Sequence, residues 1–205
     1  MKHLELQFDA GVATVTLNRP DVRNAFNDEL ILELSDEFAA LSKEVRVVII
    51  SGEGKSFCAG GDLQWMRKAA AYTEDQNIED AIRLAKLFEA VANCHALTIA
   101  KVHGAAFGGG CGLVAAADVA VAAEGTLFSF SEVRLGLIPA TISRYVIPKI
   151  GQGNARAYFA TGEAFGTDTA LRMGLIQAAA TPDNLDAAVE EKVKCTLRNG
   201  PESVH

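Results

Sequence analysis

The 205-residue chain lacks a long apolar run, a cysteine pair and an excess of positive charge. No stretch approaches the roughly 18 uncharged apolar residues of a membrane-spanning helix, so the sequence predicts no membrane partner. The four cysteines, Cys58, Cys94, Cys111 and Cys195, form no CxxC pair, which argues against a metal site or a disulfide framework. We therefore predict that all four are small buried apolar side chains.

The charge balance is acidic, with a formal net charge of −7. Non-specific binding to nucleic acid needs a basic field, so nucleic acid is not an expected partner. An anionic small ligand still fits this balance if basic residues gather locally. The N-terminus enters strand-like alternation directly, without the pattern of a signal peptide, and the cytoplasm is therefore the expected compartment.

Three familiar functional motifs are also missing. The sequence contains no GxSxG nucleophile elbow and no GxxxxGK[ST] phosphate loop, and its glycines do not form GxGxxG. What is present is a hydrophobic content of 49%, which is sufficient for a substantial core. Together with the length, this content predicts one main domain.

Strand-like and helical patterns alternate along the chain. Polar and apolar residues alternate at 4–8 and 12–17, which predicts a β-hairpin or two adjacent strands. Apolar runs at 45–50, 98–102 and 118–123 are typical of buried parallel strands. Helices are predicted from 27 or 28 to 41, from 63, and at 78–94, 113–117, 142–150, 153–161, 167–173 and 185–197, with short strands at 126–130 and 175–179 and a mobile polar segment at 69–76. This order predicts an α/β fold with right-handed crossovers.

Glycines cluster where two predicted strands give way to helices, at Ala59-Gly60-Gly61 and at Gly108-Gly109-Gly110. In a parallel sheet both junctions lie at the carboxyl edge, where ligands bind. If the two loops face each other, one N–H from each can bind the same carbonyl oxygen and form an oxyanion hole. The alternative is that the glycines serve only close packing between helix and strand.

Glu132 lies in the apolar segment 128–133, and apolar surroundings would raise its pKa and suit it to proton transfer. The alternative role is that of a solvated helix-capping carboxylate. His103 precedes Gly104, and we interpret it as a turn residue in preference to a catalytic base.

The segments 57–63, 103–110 and 131–139 read FCAGGDL, HGAAFGGG and SEVRLGLIP. In motif and order they resemble the enoyl-CoA hydratase/isomerase (crotonase) family, and the similarity extends from about Asn18 to Ile176. The resemblance implies an α/β fold of the crotonase-like ββα superhelix type (ClpP/crotonase fold). It also implies an acyl-CoA thioester substrate, with coenzyme A as part of the substrate and no separate cofactor.

The same resemblance implies roles for individual residues. It makes the amides of Ala59 and Gly109 the oxyanion hole, and it matches Glu132 to the second of the family's two catalytic glutamates. It matches Arg23-Asn24-Ala25 to a segment that lies along CoA, and Asp62 to a helix-capping aspartate. The implied substrate-binding residues are Arg23, Ala25, Lys55, Ala59, Gly60, Gly61, Asp62, Gly109, Ser131 and Thr141, with Arg19 as a further phosphate partner.

One departure from the family concerns the first catalytic glutamate, which would fall at Gly112. With one carboxylate, Ser131, Thr141 or Ser143 would help to hold the attacking water, unless these hydroxyls are ordinary helix caps. Gly112 and the segment 135–143 are most similar to the methylglutaconyl-CoA and carboxygeranoyl-CoA hydratase branch. A carboxylated substrate of that kind would need a basic partner such as Arg144 or Arg134.

The function expected from this resemblance is reversible hydration of a 2-enoyl-CoA, branched or carboxylated as in 3-methylglutaconyl-CoA. A decarboxylase or double-bond isomerase on the same scaffold is the first alternative, and a non-catalytic acyl-CoA-binding protein is the second. The core domain is expected at 1–198, and 199–205 resembles the start of a truncated C-terminal helical segment. With that segment complete, the family resemblance implies a homotrimer or a dimer of trimers.

Overall fold

A six-stranded sheet forms the centre of the protein, which is described here from a computed structural model covering residues 2–200. The strand order is β1-β2-β3-β4-β6-β9; β1 pairs antiparallel with β2, and the remaining neighbours pair in parallel. The strands are β1 (Leu4–Asp9), β2 (Val12–Leu17), β3 (Val47–Gly52), β4 (Leu97–Val102), β5 (Ala105–Phe107), β6 (Val119–Ala123), β7 (Leu127–Ser129), β8 (Phe165–Gly166) and β9 (Ala178–Ala180). The predicted hairpin and parallel sheet are confirmed.

Helices cover both faces of this sheet. They are α1 (Asp28–Ala40), α2 (Leu63–Ala69), α3 (Glu74–Ala92), α4 (Gly109–Ala116), α5 (Ala140–Thr161), α6 (Thr167–Met173) and α7 (Leu185–Leu197). The larger core lies on the side of α1, α3, α4 and α5, and a smaller apolar cluster lies beneath α7. Burial on both faces explains why the central strands are apolar throughout and do not alternate.

Local side-chain chemistry sets several helix boundaries. The Asn27 side chain accepts a hydrogen bond from the Leu30 amide at 2.9 Å and begins α1. Thr73 and Gln76 form a reciprocal capping box, so α3 begins at Glu74. The prediction that 69–76 is a mobile polar segment is therefore wrong at its C-terminal end.

Two features of the fold differ from expectation because they depend on tertiary pairing. The glycine-rich stretch after β4 contains a short strand, β5, which joins β7 and β8 in a second, three-stranded sheet. The two helices predicted at 142–150 and 153–161 form one element, α5, kinked at Gly151, whose φ is +76°.

Cys195 is exposed, whereas the other three cysteines are buried as predicted. The predicted C-terminal segment at 199–205 lies outside the described residues from position 201 onward.

Candidate active site

The two glycine-rich loops lie side by side at the carboxyl ends of the neighbouring strands β3 and β4. The Cys58 amide donates to the Ala105 carbonyl at 3.1 Å, and the Phe107 amide donates to the Cys58 carbonyl at 3.0 Å. A Cβ atom at Gly60 would lie 3.0 Å from the Phe107 carbonyl oxygen, so the approach of the loops requires glycine there. The predicted convergence of the loops is therefore confirmed.

A third segment fixes the conformation around Gly61. The Phe26 amide donates to the Gly60 carbonyl at 2.7 Å, and the Asp62 amide donates to the Phe26 carbonyl at 2.8 Å. These two bonds hold the chain on both sides of Gly61. The Gly61 amide itself donates to no acceptor within residues 2–200, which leaves it available to a ligand.

The Ala59 amide, by contrast, is already bonded. It donates to the Arg23 carbonyl at 3.0 Å, so the prediction that Ala59 supplies a free oxyanion donor is wrong. The unbonded amide of this loop belongs to Gly61, two residues further along. The sequence offered no signal for this difference, because the partner of Ala59 comes from a segment distant in the chain.

The second unbonded amide lies at the start of α4. Gly108, with φ at +48°, donates its own amide to the Ser129 carbonyl at 2.9 Å and turns the chain into the helix. Gly109 is the first helical residue, and its amide has no acceptor among the described residues. The positive end of the helix dipole adds to its preference for negative charge.

The opposite end of α4 carries a cation. Lys149 Nζ donates to the Ala117 carbonyl at 2.6 Å, just beyond the last turn of the helix. Burial lowers the pKa of Lys149 to about 8. The ammonium group complements the negative end of the same dipole.

The Glu132 carboxyl lies beside the N-terminus of α4. A short 3₁₀ turn, Ser131–Leu135, carries it, and a Cβ at Gly108 would lie 3.3 Å from its Oε1. Its Oε2 is buried and has no hydrogen-bond partner in the described part of the chain. Burial raises the pKa of Glu132, and a hydrogen bond to its own backbone opposes the rise only in part. The geometry therefore suits proton transfer.

The three hydroxyls considered as water ligands differ in their surroundings. Ser131 Oγ lies 3.7 Å from the same Cβ position at Gly108 and is thus close to Glu132. Ser143 Oγ donates to the Ala140 carbonyl at 2.8 Å and is engaged within the first turn of α5. Thr141 is half-buried in that turn, and its hydroxyl bonds to no described residue.

Aromatic and aliphatic side chains close the space at Gly112. A Cβ there would lie 2.4 Å from Cγ2 of Ile142 and 2.7 and 2.8 Å from Cζ and Cε1 of Phe88. Both side chains are buried. No carboxylate reaches the cleft from this position, and Phe88 and Ile142 are site residues that sequence patterns alone did not identify.

Arg19 and Asp62, both predicted to contact the ligand, bond to each other. Arg19 Nη2 pairs with Asp62 Oδ2 at 2.9 Å, and Arg19 Nη1 donates to the Ala25 carbonyl. Asp62 also caps α2 by accepting from the Gln64 amide at 2.8 Å. Burial alone would raise the pKa of Asp62, but the bonds from Gln64 and Arg19 outweigh it and lower that pKa. Arg19 as a phosphate partner and Asp62 as a substrate contact are therefore wrong, whereas the predicted helix cap is confirmed.

Only part of the segment 23–25 faces outward. Asn24 is fully buried and donates to the carbonyls of Glu53 and Ser56, each at 2.8 Å. Ala25 is also buried, and its carbonyl accepts a hydrogen bond from Arg19. Arg23 and Lys55 are exposed and form no ion pair within the described range. These two cations remain available to an anionic ligand.

Within residues 2–200, no three His, Cys, Asp or Glu side chains are grouped to hold a metal ion. None of the helices in that range is long and apolar enough to cross a membrane.

The chain is similar in sequence and in structure to proteins of one family. A family model described as "Enoyl-CoA hydratase/isomerase" matches residues 7–205. An enoyl-CoA hydratase of Alternaria alternata is 35% identical over 196 residues, 95% of this chain. The crystal structure of an enoyl-CoA hydratase from Shewanella pealeana matches 97% of this chain and 75% of its own, with a TM-score of 0.92 and 40% identity. A Thermobifida fusca protein solved in complex with CoA matches 98% of this chain and 80% of its own, with a TM-score of 0.90 and 27% identity.

These matches confirm the predicted crotonase-like fold. The chain is shorter than its relatives: it spans 64% of the length of the Alternaria alternata protein and 62% of two similar proteins from that organism.

Proposed function

The chain belongs to the enoyl-CoA hydratase/isomerase family, and on that premise we propose that it is an enzyme that reversibly hydrates a 2-enoyl-CoA. One observation carries the proposal. Two unbonded backbone amides, of Gly61 and Gly109, lie on adjoining loops, and the Glu132 carboxyl, whose buried Oε2 has no hydrogen-bond partner among the described residues, lies beside the second loop. A pair of such donors suits a thioester oxygen that gains negative charge, and the carboxyl suits the accompanying proton transfer.

The thioester oxygen accepts hydrogen bonds from Gly61 and Gly109 in this proposal. When water adds to C3, negative charge accumulates on that oxygen as an enolate, and the two amides stabilise it. A single donor of this kind contributes on the order of 100- to 1,000-fold in rate. The dipole of α4 acts in the same direction at Gly109.

Glu132 transfers the protons. Its buried carboxyl has a raised pKa, so it exchanges a proton with water or with the enolate carbon at a smaller free-energy cost than a solvated carboxylate. Because Phe88 and Ile142 fill the space at Gly112, Glu132 acts as the single carboxylate. Ser131 and Thr141 are the hydroxyls that help to hold the water.

Coenzyme A is part of the substrate, and the proposal includes no separate cofactor. Arg23, whose carbonyl bonds the Ala59 amide, and Lys55, in the loop that leads to Phe57, are exposed cations, and we assign them to the CoA phosphates. We further propose a branched or carboxylated acyl group such as 3-methylglutaconyl, on the similarity of the segment 135–143. Arg144 already pairs with Glu89 at 3.7 Å, which leaves Arg134 as the partner for a substrate carboxylate.

The test is Glu132→Gln, assayed for formation of 3-hydroxyacyl-CoA from crotonyl-CoA and from 3-methylglutaconyl-CoA. We expect kcat to fall by about 100-fold or more with KM little changed, because general acid–base catalysis contributes about 100- to 10,000-fold. Glu37→Gln is the matched control, since burial also raises the pKa of Glu37, which lies on α1. Wild-type rates for the Glu132 variant on both substrates would refute the role of Glu132.

A decarboxylase or double-bond isomerase is the second candidate, and the closed space at Gly112 favours it. Making and reprotonating an enolate needs one carboxylate and an oxyanion hole, both of which this site offers. Product analysis separates the candidates: if no 3-hydroxyacyl-CoA forms from any 2-enoyl-CoA while a shifted double bond or CO₂ appears, hydration is excluded.

Binding without turnover would identify the third candidate, a non-catalytic acyl-CoA-binding protein. Calorimetric titration with an acyl-CoA, alongside the turnover assay, distinguishes it from both enzymes.

We also propose a homotrimer or a dimer of trimers when the C-terminal helical segment is complete. Light scattering of this chain and of a version with that segment tests this assembly.

A further inference from the structure

Phe26 contacts both proposed oxyanion donors. Its backbone amide and carbonyl bond to Gly60 and Asp62, at 2.7 and 2.8 Å, and so hold Gly61 between them. Its ring packs on the other donor, because a Cβ at Gly109 would lie 2.9 Å from both Cδ2 and Cε2 of Phe26. One residue therefore links two loops that the chain order keeps far apart, the first through its backbone and the second through its ring.

The Phe26 ring has little freedom to move. It is 1% exposed and meets the ring of Phe88 edge-to-face, with centroids 6.3 Å apart and an interplanar angle of 84°. Phe88 in turn packs against Gly112, one turn further along α4. The ring is thus held between the first turn of α4 and a second buried aromatic side chain.

We propose that Phe26 is a positioning residue that sets the spacing between the Gly61 and Gly109 amides. This role rests on the proposed function, because it assumes that both amides bind one oxygen. Oxyanion donors must lie about 2.7–3.1 Å from the charged oxygen, and a displacement of about 1 Å can cost about 100-fold in rate. A residue that bonds one loop through its backbone and packs a buried ring against the other opposes such a displacement.

The test is Phe26→Leu, which keeps the backbone bonds to Gly60 and Asp62 but removes the ring from Gly109. We expect kcat to fall about 10- to 100-fold while KM changes less than about threefold, because the Phe26 side chain is buried whereas the cations assigned to CoA are exposed. Phe26→Ala should lower kcat at least as far if it folds.

The matched control is Phe38→Leu, the same change in the same apolar core. Phe38 lies about 15 Å along α1 from Asp28, the first residue of that helix, at a rise of about 1.5 Å per residue. Its replacement should lower the urea midpoint to a similar extent and leave kcat unchanged. Equal kcat losses in the two variants would overturn the positioning role, because they would report only a loosened core.

A spectroscopic measurement separates this inference from the proposed function. The absorption band of bound hexa-2,4-dienoyl-CoA moves to longer wavelength when donors polarise its carbonyl, and the Glu132→Gln background slows turnover while the spectrum is recorded. We expect a red shift in that background and a smaller shift when Phe26→Leu is added. An unchanged shift would overturn the role of Phe26 alone, whereas no shift with Phe26 present would overturn the oxyanion site itself.

Discussion

Replacing Gly112 with alanine tests whether the space at that position is closed. Three carbon atoms of Phe88 and Ile142 would lie 2.4, 2.7 and 2.8 Å from the new Cβ. Attractive contact between carbon atoms begins at about 3.5–4.0 Å, so all three distances are repulsive. Both side chains are buried, so neither can move out of the way without disturbing its neighbours.

The expected loss of stability follows from two opposing effects. Overpacking a core costs about 1–3 kcal/mol, and three contacts this short place Gly112→Ala near the upper end. Alanine in a helix interior gains about 1 kcal/mol over glycine. We therefore expect Gly112→Ala to lower the free energy of unfolding by about 2 kcal/mol.

Gly153→Ala is the matched control for this substitution. Gly153 is also helical, and a Cβ there meets no atom within 4 Å. With no steric cost, this variant should gain up to about 1 kcal/mol. Urea titrations followed by circular dichroism compare the midpoints at an unchanged m value.

A double variant identifies the cause. Ile142→Ala removes the Cγ2 atom at 2.4 Å, so combining it with Gly112→Ala should cost less than the sum of the single changes. If Gly112→Ala proves as stable as Gly153→Ala, the packing argument is wrong. Position 112 could then accept the second carboxylate that the proposed mechanism omits.

Three further predictions concern charged groups. Burial raises the pKa of Glu132 in the folded state, so the stability of the wild type falls as the pH rises from about 4.3 through that raised pKa. In urea titrations, Glu132→Gln should therefore be more stable than the wild type at pH 7 and equally stable below about pH 4. Arg19→Met leaves the largely buried Asp62 unpaired and should cost about 3–5 kcal/mol at pH 7. This loss should diminish below about pH 3.9, because Arg19 stabilises only the ionised form of Asp62, whose pKa is lowered in the folded state. Equal losses at pH 3 and pH 7 would contradict the pairing. Arg23→Ala should raise KM for acyl-CoA with kcat unchanged, and a KM insensitive to both the substitution and salt would exclude a phosphate contact.

Patterns of hydrophobicity and local capping predicted most of the fold. The hairpin at β1 and β2 and the final helix at 185–197 were predicted within a few residues, because side-chain periodicity is a local property. The Thr-x-x-Gln pattern of the capping box at Thr73 and Gln76 is local as well, although the polar composition of 69–76 predicts a mobile segment there. By contrast, β5 exists only because β7 and the Cys58 loop pair with it, and no local pattern in a run of glycines and alanines indicates that pairing.

The candidate site divides in the same way. Local patterns predict that two glycine-rich loops precede helices at neighbouring strand ends and that a carboxyl follows in an apolar segment. They do not determine which amide of the first loop is free, because that depends on the Arg23 carbonyl bonding Ala59 and leaving Gly61 unbonded. The free amide, like the packing of Phe88 against Gly112, depends on the folded chain, because hydrogen-bond partners and packing neighbours come from segments that are far apart in the sequence.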